Sequence, residues 1–250
     1  MTTRTNHIER YYDSHEVEGA ELTQSVDHYL VIQYLIVVLQ WIFQGKGIGV
    51  VSNVNFYQTA NPRETPISPD IAVVEGLPEN RKPEDKSSYY VGETSPAPRV
   101  VFEIASKETW RQDLEEKPAR YSAMGVSEYF VYAPNEQTVW TRQWRAHNRL
   151  IGWHRNAASG EFELVKKDAN DHLWSEELAS WLVVEPAGLR LYDANGQLRL
   201  TESEALQQNL AAERSRAEAE RHRANLADLQ KQKLAEKLKE LGITFINQGN

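Results

Sequence analysis

Two acids and a lysine carry the clearest chemical signal in this sequence. Asp70 follows Pro69 at the mouth of a short β-branched segment containing Ile71, Val73 and Val74, and Glu103 is the single charge inside the apolar string VVFEIA. Alternate residues of a strand share a face, so Val101, Glu103 and Ala105 point the same way. A carboxylate among such neighbours is costly to bury unless it is paired or binds a cation. Alone, a glutamate in a strand is most simply an ion-pair partner or a solvent-facing residue. A second acid at the start of a neighbouring strand changes that, because two carboxylates within reach of one hydrated Mg²⁺ are what metal-assisted phosphodiester hydrolysis requires. Asp113, Lys117 and Arg120, spaced four and three apart, then line one stripe of a helix. From there a lysine reaches over the strand ends, to orient an attacking water or offset charge on a pentavalent phosphate. Without the acids, Asp113 and Lys117 would read as an ordinary surface pair of small energetic weight.

The elements that must hold these residues follow from the pattern around them. Residues 1–20 are polar and patternless, a flexible lead-in. Residues 22–45 read as a helix, stopped by Gly45, Gly47 and Gly49. Strand-like segments follow at Gly49 to Gln58, Asp70 to Glu75 and Arg99 to Ala105, with a Pro-, Glu-, Lys- and Ser-rich surface loop at Gly76 to Pro98. A second helix runs from about Thr109 to Met124 and closes at Gly125. Pro118 removes a backbone donor directly after Lys117, which puts Lys117 near a helix start. Glu128 to Ala133 is a buried strand, and Gln137 to Arg145, Phe162 to Val165 and Trp181 to Tyr192 complete an antiparallel second half. The order helix, three strands, helix, strand predicts an α/β core of mixed sheet.

From Gln197 to Leu241 there is neither glycine nor proline, and charges alternate in sign, which favours a long exposed helix. Leu234, Leu238, Leu241 and Phe245 form a heptad seam, but upstream the same line carries Lys231, Ala227, Ala224 and Glu220. A coiled-coil dimer and a solvated single helix both remain open. The domain boundaries expected are therefore 1–20, 21–196 and 197–250.

Composition narrows the classes further. Seven tryptophans and eleven tyrosines supply ample apolar surface for a packed core. Without a single cysteine, disulfides, iron–sulfur clusters and cysteine-zinc sites are excluded, and a cytoplasmic home is expected. Tyr29 to Phe43, the most apolar stretch, contains Gln33 and Gln40 and falls short of the ~20 apolar residues of a membrane span, so it reads as a core helix with no membrane partner. The net charge of −8 lies wholly in residues 1–200, where 28 acids face 20 bases. That argues against promiscuous binding of nucleic acid, which depends on Lys and Arg contacts to phosphates. It leaves room for a metal-bridged site, where clustered carboxylates are needed and the ion supplies the positive charge. The seven histidines show no metal-ligand spacing, although His28 sits at the start of the first helix and could approach the site.

The string VVFEIASKETWRQDLEEKPARYSAMGVSEYFVYAP after Arg99, preceded by SPDIAVV, resembles the Uma-two family within the PD-(D/E)XK restriction-endonuclease-like superfamily. The family's PD before a strand matches Pro69-Asp70, and its E-V-x-S strand matches Glu103-Ile104-Ala105-Ser106. Its D-x-x-x-K helix matches Asp113 and Lys117, and its G-V-x-E-Y-W strand matches Gly125 to Phe130. The resemblance implies an αβββαβ core with extra antiparallel strands and the long C-terminal helix appended. It also implies Mg²⁺ or Mn²⁺, DNA as substrate, and Asp70 and Glu103 as metal ligands aided by the Ala105 carbonyl. The superfamily's lysine two positions after the acid is here Ala105, so its role falls to Lys117, or to Lys107, with Asp113 holding Lys117. The expected protein is a Mg²⁺-dependent DNA endonuclease and a homodimer. The rival is a catalytically silent nuclease fold that assembles partners through the C-terminal helix.

Overall fold

The computed structural model describes residues 26–76, 88–92, 95–106, 109–134 and 147–241. The chain divides into two compact units, Met1–Thr201 and Glu202–Asn250. In the first, helix α1 (Val26–Phe43) precedes strands β1 (Ile48–Val51), β2 (Asn55–Tyr57), β3 (Ile71–Glu75), β4 (Ser88–Tyr90) and β5 (Val100–Ile104). A helical stretch from Trp110 ends in α2 (Lys117–Met124), and then come β6 (Glu128–Tyr132), β7 (Leu150–Arg155), β8 (Phe162–Leu164), β9 (Leu173–Ser175), β10 (Ser180–Glu185) and β11 (Gly188–Tyr192). The main sheet runs β1-β3-β5-β6-β7-β8, antiparallel except for the β5–β6 pair. Within it α1, β1, β3, β5, α2 and β6 form the expected αβββαβ series. A parallel pair cannot be closed by a tight hairpin, and α2 belongs to the crossover that joins β5 to β6.

Every residue of β5 and β6 is buried, which explains why both read as continuous apolar runs with one acid each. One face of β5 (Val100, Phe102, Ile104) packs with Ile32, Leu35, Val38 and Leu39 of α1. The other (Val101, with Ala105 beyond it) packs with Leu114, Tyr121 and Met124 of the second helical stretch. The sheet is thus sandwiched between helices. By length and hydropathy alone, α1 would suffice to cross a membrane, at 18 residues and a mean hydropathy of 1.5. Its buried face nonetheless belongs to the core, while Tyr29, Leu30, Val37 and Trp41 are exposed.

Several segments differ from the pattern reading, among them β9, which was not expected. The single strand expected over Gly49 to Gln58 is broken at Asn53, whose φ of 53° is left-handed. β1 pairs with β3, whereas β2 leaves the sheet to pair in parallel with β4. β4 itself lies inside the segment read as a loop, and Ser88–Tyr90 finds its partner more than thirty residues upstream. β7 was not anticipated. Its centre is Gly152, opposite Phe130, and a Cβ there would lie 2.6 Å from two atoms of the Phe130 ring. Phe130 is fully buried and 5.3 Å from the Phe102 ring, so it has nowhere to retreat. Gly152→Ala is expected to cost about 1–3 kcal/mol, as overpacking does, and unchanged denaturant unfolding would refute it. The strand expected at Gln137 to Arg145 lies outside the described residues.

Glu128, at the start of β6, is buried and accepts hydrogen bonds from the Ser175 hydroxyl and, at 2.8 Å, from the Glu176 N–H. Burial outweighs these donors and pushes its carboxyl up to about 7. A carboxyl raised on folding favours the native state while protonated. Its contribution is therefore complete below about pH 4.5 and is lost as pH rises through about 7. Glu128→Gln, a neutral mimic that can donate to the Ser175 oxygen, should flatten this part of the melting temperature–pH curve. Parallel curves for the two proteins would show the assignment to be wrong.

The second unit contains α3 (Glu202–Glu240), 39 residues with none buried. This matches the long exposed helix expected from its composition.

Candidate active site

The end of β5 and the helical stretch after it build the site. Ile71 pairs with Phe102 and Ala72 with Val101, so one further step along the ladder brings Asp70 opposite Glu103. Residues directly opposite on antiparallel strands place their side chains on one face, with Cβ atoms about 4.5–5.5 Å apart. Asp70 is anchored there, one carboxylate oxygen accepting the Ile104 N–H at 2.7 Å. Its other oxygen is 3.6 Å from His28 Nε2 on α1. His28, which in the sequence has no other histidine at metal-ligand spacing, is therefore brought next to one of the two candidate acids.

Glu103 is 2% exposed, and its Oε1 accepts the Tyr121 hydroxyl at 2.5 Å and lies 2.9 Å from Lys117 Nζ. The same ammonium is 2.8 Å from Asp113 Oδ1, and Asp113 is 1% exposed. The Asp113–Lys117 pair is thus a buried bridge to Glu103 and no surface pair. Arg120, the third member of the expected stripe, turns away and donates to the Thr65 carbonyl at 2.9 Å. Lys107, the other lysine considered, lies outside the described residues. The Ala105 N–H donates to the Tyr132 carbonyl at 2.8 Å, which fixes the backbone beside Glu103 in the sheet.

How Lys117 comes to point at Glu103 follows from Pro118. Ser106 and Thr109 exchange hydrogen bonds at the start of the helix, the Ser106 N–H donating to Thr109 Oγ1 at 3.0 Å and the Thr109 N–H to Ser106 Oγ at 3.2 Å. This is reciprocal capping of a helix start. Pro118 has no N–H for the Leu114 carbonyl, a defect that would kink a regular α-helix. Here the turn over Gln112–Glu116 widens to π geometry, and the Lys117 N–H reaches back five residues to the Gln112 carbonyl. The Asp113 carbonyl that it would otherwise engage accepts the buried Tyr129 hydroxyl instead, at 2.8 Å. The α register then starts at Lys117, as the proline implied, and ends at Gly125 (φ 93°), where the Val126 N–H returns to the Tyr121 carbonyl at 3.1 Å. Single widened turns of this kind recur at functional sites.

Two acids therefore hold one ammonium in a nearly water-free place, with Asp70 close enough to act on both of them. Burial pushes the Glu103 carboxyl up to about 8 against the opposing pull of Lys117, and the nearby Asp70 and Asp113 charges push the same way. Asp113 is raised by burial as well. Lys117 is held more firmly charged than usual, since Glu103 and Asp113 outweigh its own desolvation. The excess of negative charge and the all-oxygen donor set suit a hard divalent cation. Among the described residues no group of three His, Asp or Glu side chains is assembled for a metal. Two carboxylates fit an ion such as Mg²⁺, which keeps several waters and shares its remaining positions with substrate phosphate.

Sequence reasoning missed Tyr121 and Tyr129. Tyr121 lies on the second helix and Tyr129 in β6, and their hydroxyls satisfy Glu103 and the widened turn. A tyrosine in place of phenylalanine on a buried stripe beside a buried acid was the available signal.

Residues 16–151, more than half of the chain, match the Uma2 family model, described as "Putative restriction endonuclease". No curated protein matches the chain. One similar solved structure is that of "a putative nuclease belonging to DUF820" from Anabaena variabilis, which is 12% identical. The likeness covers 62% of this chain and 75% of that one, with a TM-score of 0.43. With the family match extending over Asp70, Glu103, Asp113 and Lys117, the protein belongs to the Uma2 family of restriction-endonuclease-like nucleases.

Proposed function

We propose that the protein is a divalent-metal-dependent endonuclease that hydrolyses DNA phosphodiester bonds, cytoplasmic, with no membrane partner and dimeric. The observation that carries this reading is the Lys117 ammonium, 2.9 Å from Glu103 and 2.8 Å from Asp113, on the sheet face where the β3–β5 register points Asp70. Asp70 and Glu103 are the residues that would hold Mg²⁺ or Mn²⁺, with the Ala105 carbonyl in a supporting role. When bound, such an ion neutralises phosphate charge and makes water a better nucleophile. The chain's own groups do the rest. Asp113 and the widened turn aim Lys117, and its ammonium orients the attacking water or stabilises charge on the phosphate oxygens. Tyr121 holds the Glu103 carboxylate in one orientation. The acidic body of the chain supports selective capture through the site itself over tight non-specific binding.

The test is cleavage of supercoiled plasmid and single-stranded DNA with Mg²⁺ or Mn²⁺, and its loss with chelator and with Asp70→Asn. Cleavage by Asp70→Asn at the parental rate, or none by the parent with either ion, would overturn the proposal. Should deletion of 203–250 remove the biological effect while Asp70→Asn leaves it intact, the rival reading of a silent assembly module takes its place.

A further inference from the structure

Helix α3 is a single rod with no buried residue, and Leu206, Leu210 and Leu234 are 62%, 49% and 60% exposed. A heptad seam, with spacings alternating four and three, runs its whole length. It passes through Leu206, Leu210, Glu213, Ala217, Glu220, Ala224, Ala227, Lys231, Leu234 and Leu238. Leucines at both ends and charges in the middle look like a poor seam when each residue must meet its own copy. Parallel pairing stacks Glu213 on Glu213, Glu220 on Glu220 and Lys231 on Lys231, three repulsive layers.

Reversing one copy changes every layer. With the dyad at His222, Leu206 meets Leu238 and Leu210 meets Leu234, giving a leucine cluster at each end. Glu213 meets Lys231 on both sides, Ala217 meets Ala227, and Glu220 meets Ala224. Beside the seam, Arg214 falls opposite Asp228, while Arg221 and Arg223 of both copies flank the two Glu220 carboxylates at the dyad. Among the described residues Lys231 makes a 3.7 Å contact to Asp228, both well exposed, which is a weak competitor. The small alanine layers let the two backbones approach closely where the charges sit. We infer that α3 is an antiparallel self-association module, whose occupant is α3 of a second copy of this chain in the register that pairs Glu213 with Lys231.

The chain's lack of cysteine makes the test clean. In the full-length protein, single cysteines at Gln208, His222 and Glu236 carry spin labels for distance measurement. At about 1.5 Å per residue, the inferred pairing separates labels at 208, and likewise at 236, by about 42 Å along the axis, with a short distance only at 222. Parallel pairing gives short distances at all three. Lys231→Glu should raise the dimer dissociation constant about tenfold or more, and the double change Glu213→Lys with Lys231→Glu should restore it. A full-length protein that sediments as a monomer at the highest attainable concentration overturns the inference. So does a short distance at 208, or a dimer indifferent to Lys231→Glu.

Discussion

Glu103→Gln is expected to lower metal-supported DNA cleavage about a thousandfold or more while leaving the fold at least as stable as before. The two effects separate because Glu103 serves one purpose at the expense of the other. Its carboxylate is 2% exposed, and only part of its charge is matched, by an ammonium it shares with Asp113. Replacing a buried charge by a neutral group of the same shape is commonly neutral or stabilising. The amide keeps an oxygen for the Tyr121 hydroxyl, and Lys117 keeps Asp113, so nothing charged is orphaned. A cation that needs two carboxylates, however, loses one of them. Chemical denaturation and plasmid cleavage, run on the same preparation without and with Mg²⁺, give the two readouts. A variant that unfolds readily yet cuts DNA at the parental rate would mean that Glu103 serves the core and takes no part in the chemistry.

The same trade explains which parts of the molecule the sequence could disclose. Glu103 stood out because β5 is covered on both faces, so its one acid interrupts an otherwise unbroken apolar run. Asp70 was legible from the neighbouring β-branched segment, although its register against Glu103 was not, since strand pairing is set by partners far along the chain. Pro118 correctly implied that the α register restarts at Lys117. Sequence periodicity carries no sign of the π turn, and without that turn the aim of Lys117 could not be inferred. Arg120 was misassigned because its guanidinium is taken by the Thr65 carbonyl, a partner far along the chain that periodicity does not disclose. β4 and β7 escaped for separate causes, one being three residues long with a distant parallel partner, the other centred on a glycine that strand propensity disfavours. In α3 the composition announced an exposed helix. The palindromic order of its seam emerges only when a reversed partner is considered.

Lys117→Met is expected to be the most damaging single change in the site, costing about 3–5 kcal/mol of stability and lowering cleavage about 10²–10³-fold. For a domain of this size that is a fall in melting temperature of roughly 10 °C. Methionine fills much of the same space, so the loss is electrostatic. Glu103 and Asp113, both buried, would face each other with Asp70 nearby and no cation among them. At least one must then take up a proton or draw in water. Two controls separate the structural contribution of the lysine from its contribution to chemistry. Adding Asp113→Asn removes one orphaned acid and should return a large part of the stability, but none of the activity. Lys117→Arg keeps the charge and should keep the fold. It should still cut poorly, because a planar guanidinium engages Glu103 and Asp113 as a fork and presents its donors in other directions than an ammonium does. If the Lys117→Met, Asp113→Asn double variant regained both stability and cleavage, Lys117 would be a counterion to Asp113 and nothing more. The catalytic ammonium would then have to be sought elsewhere in the chain.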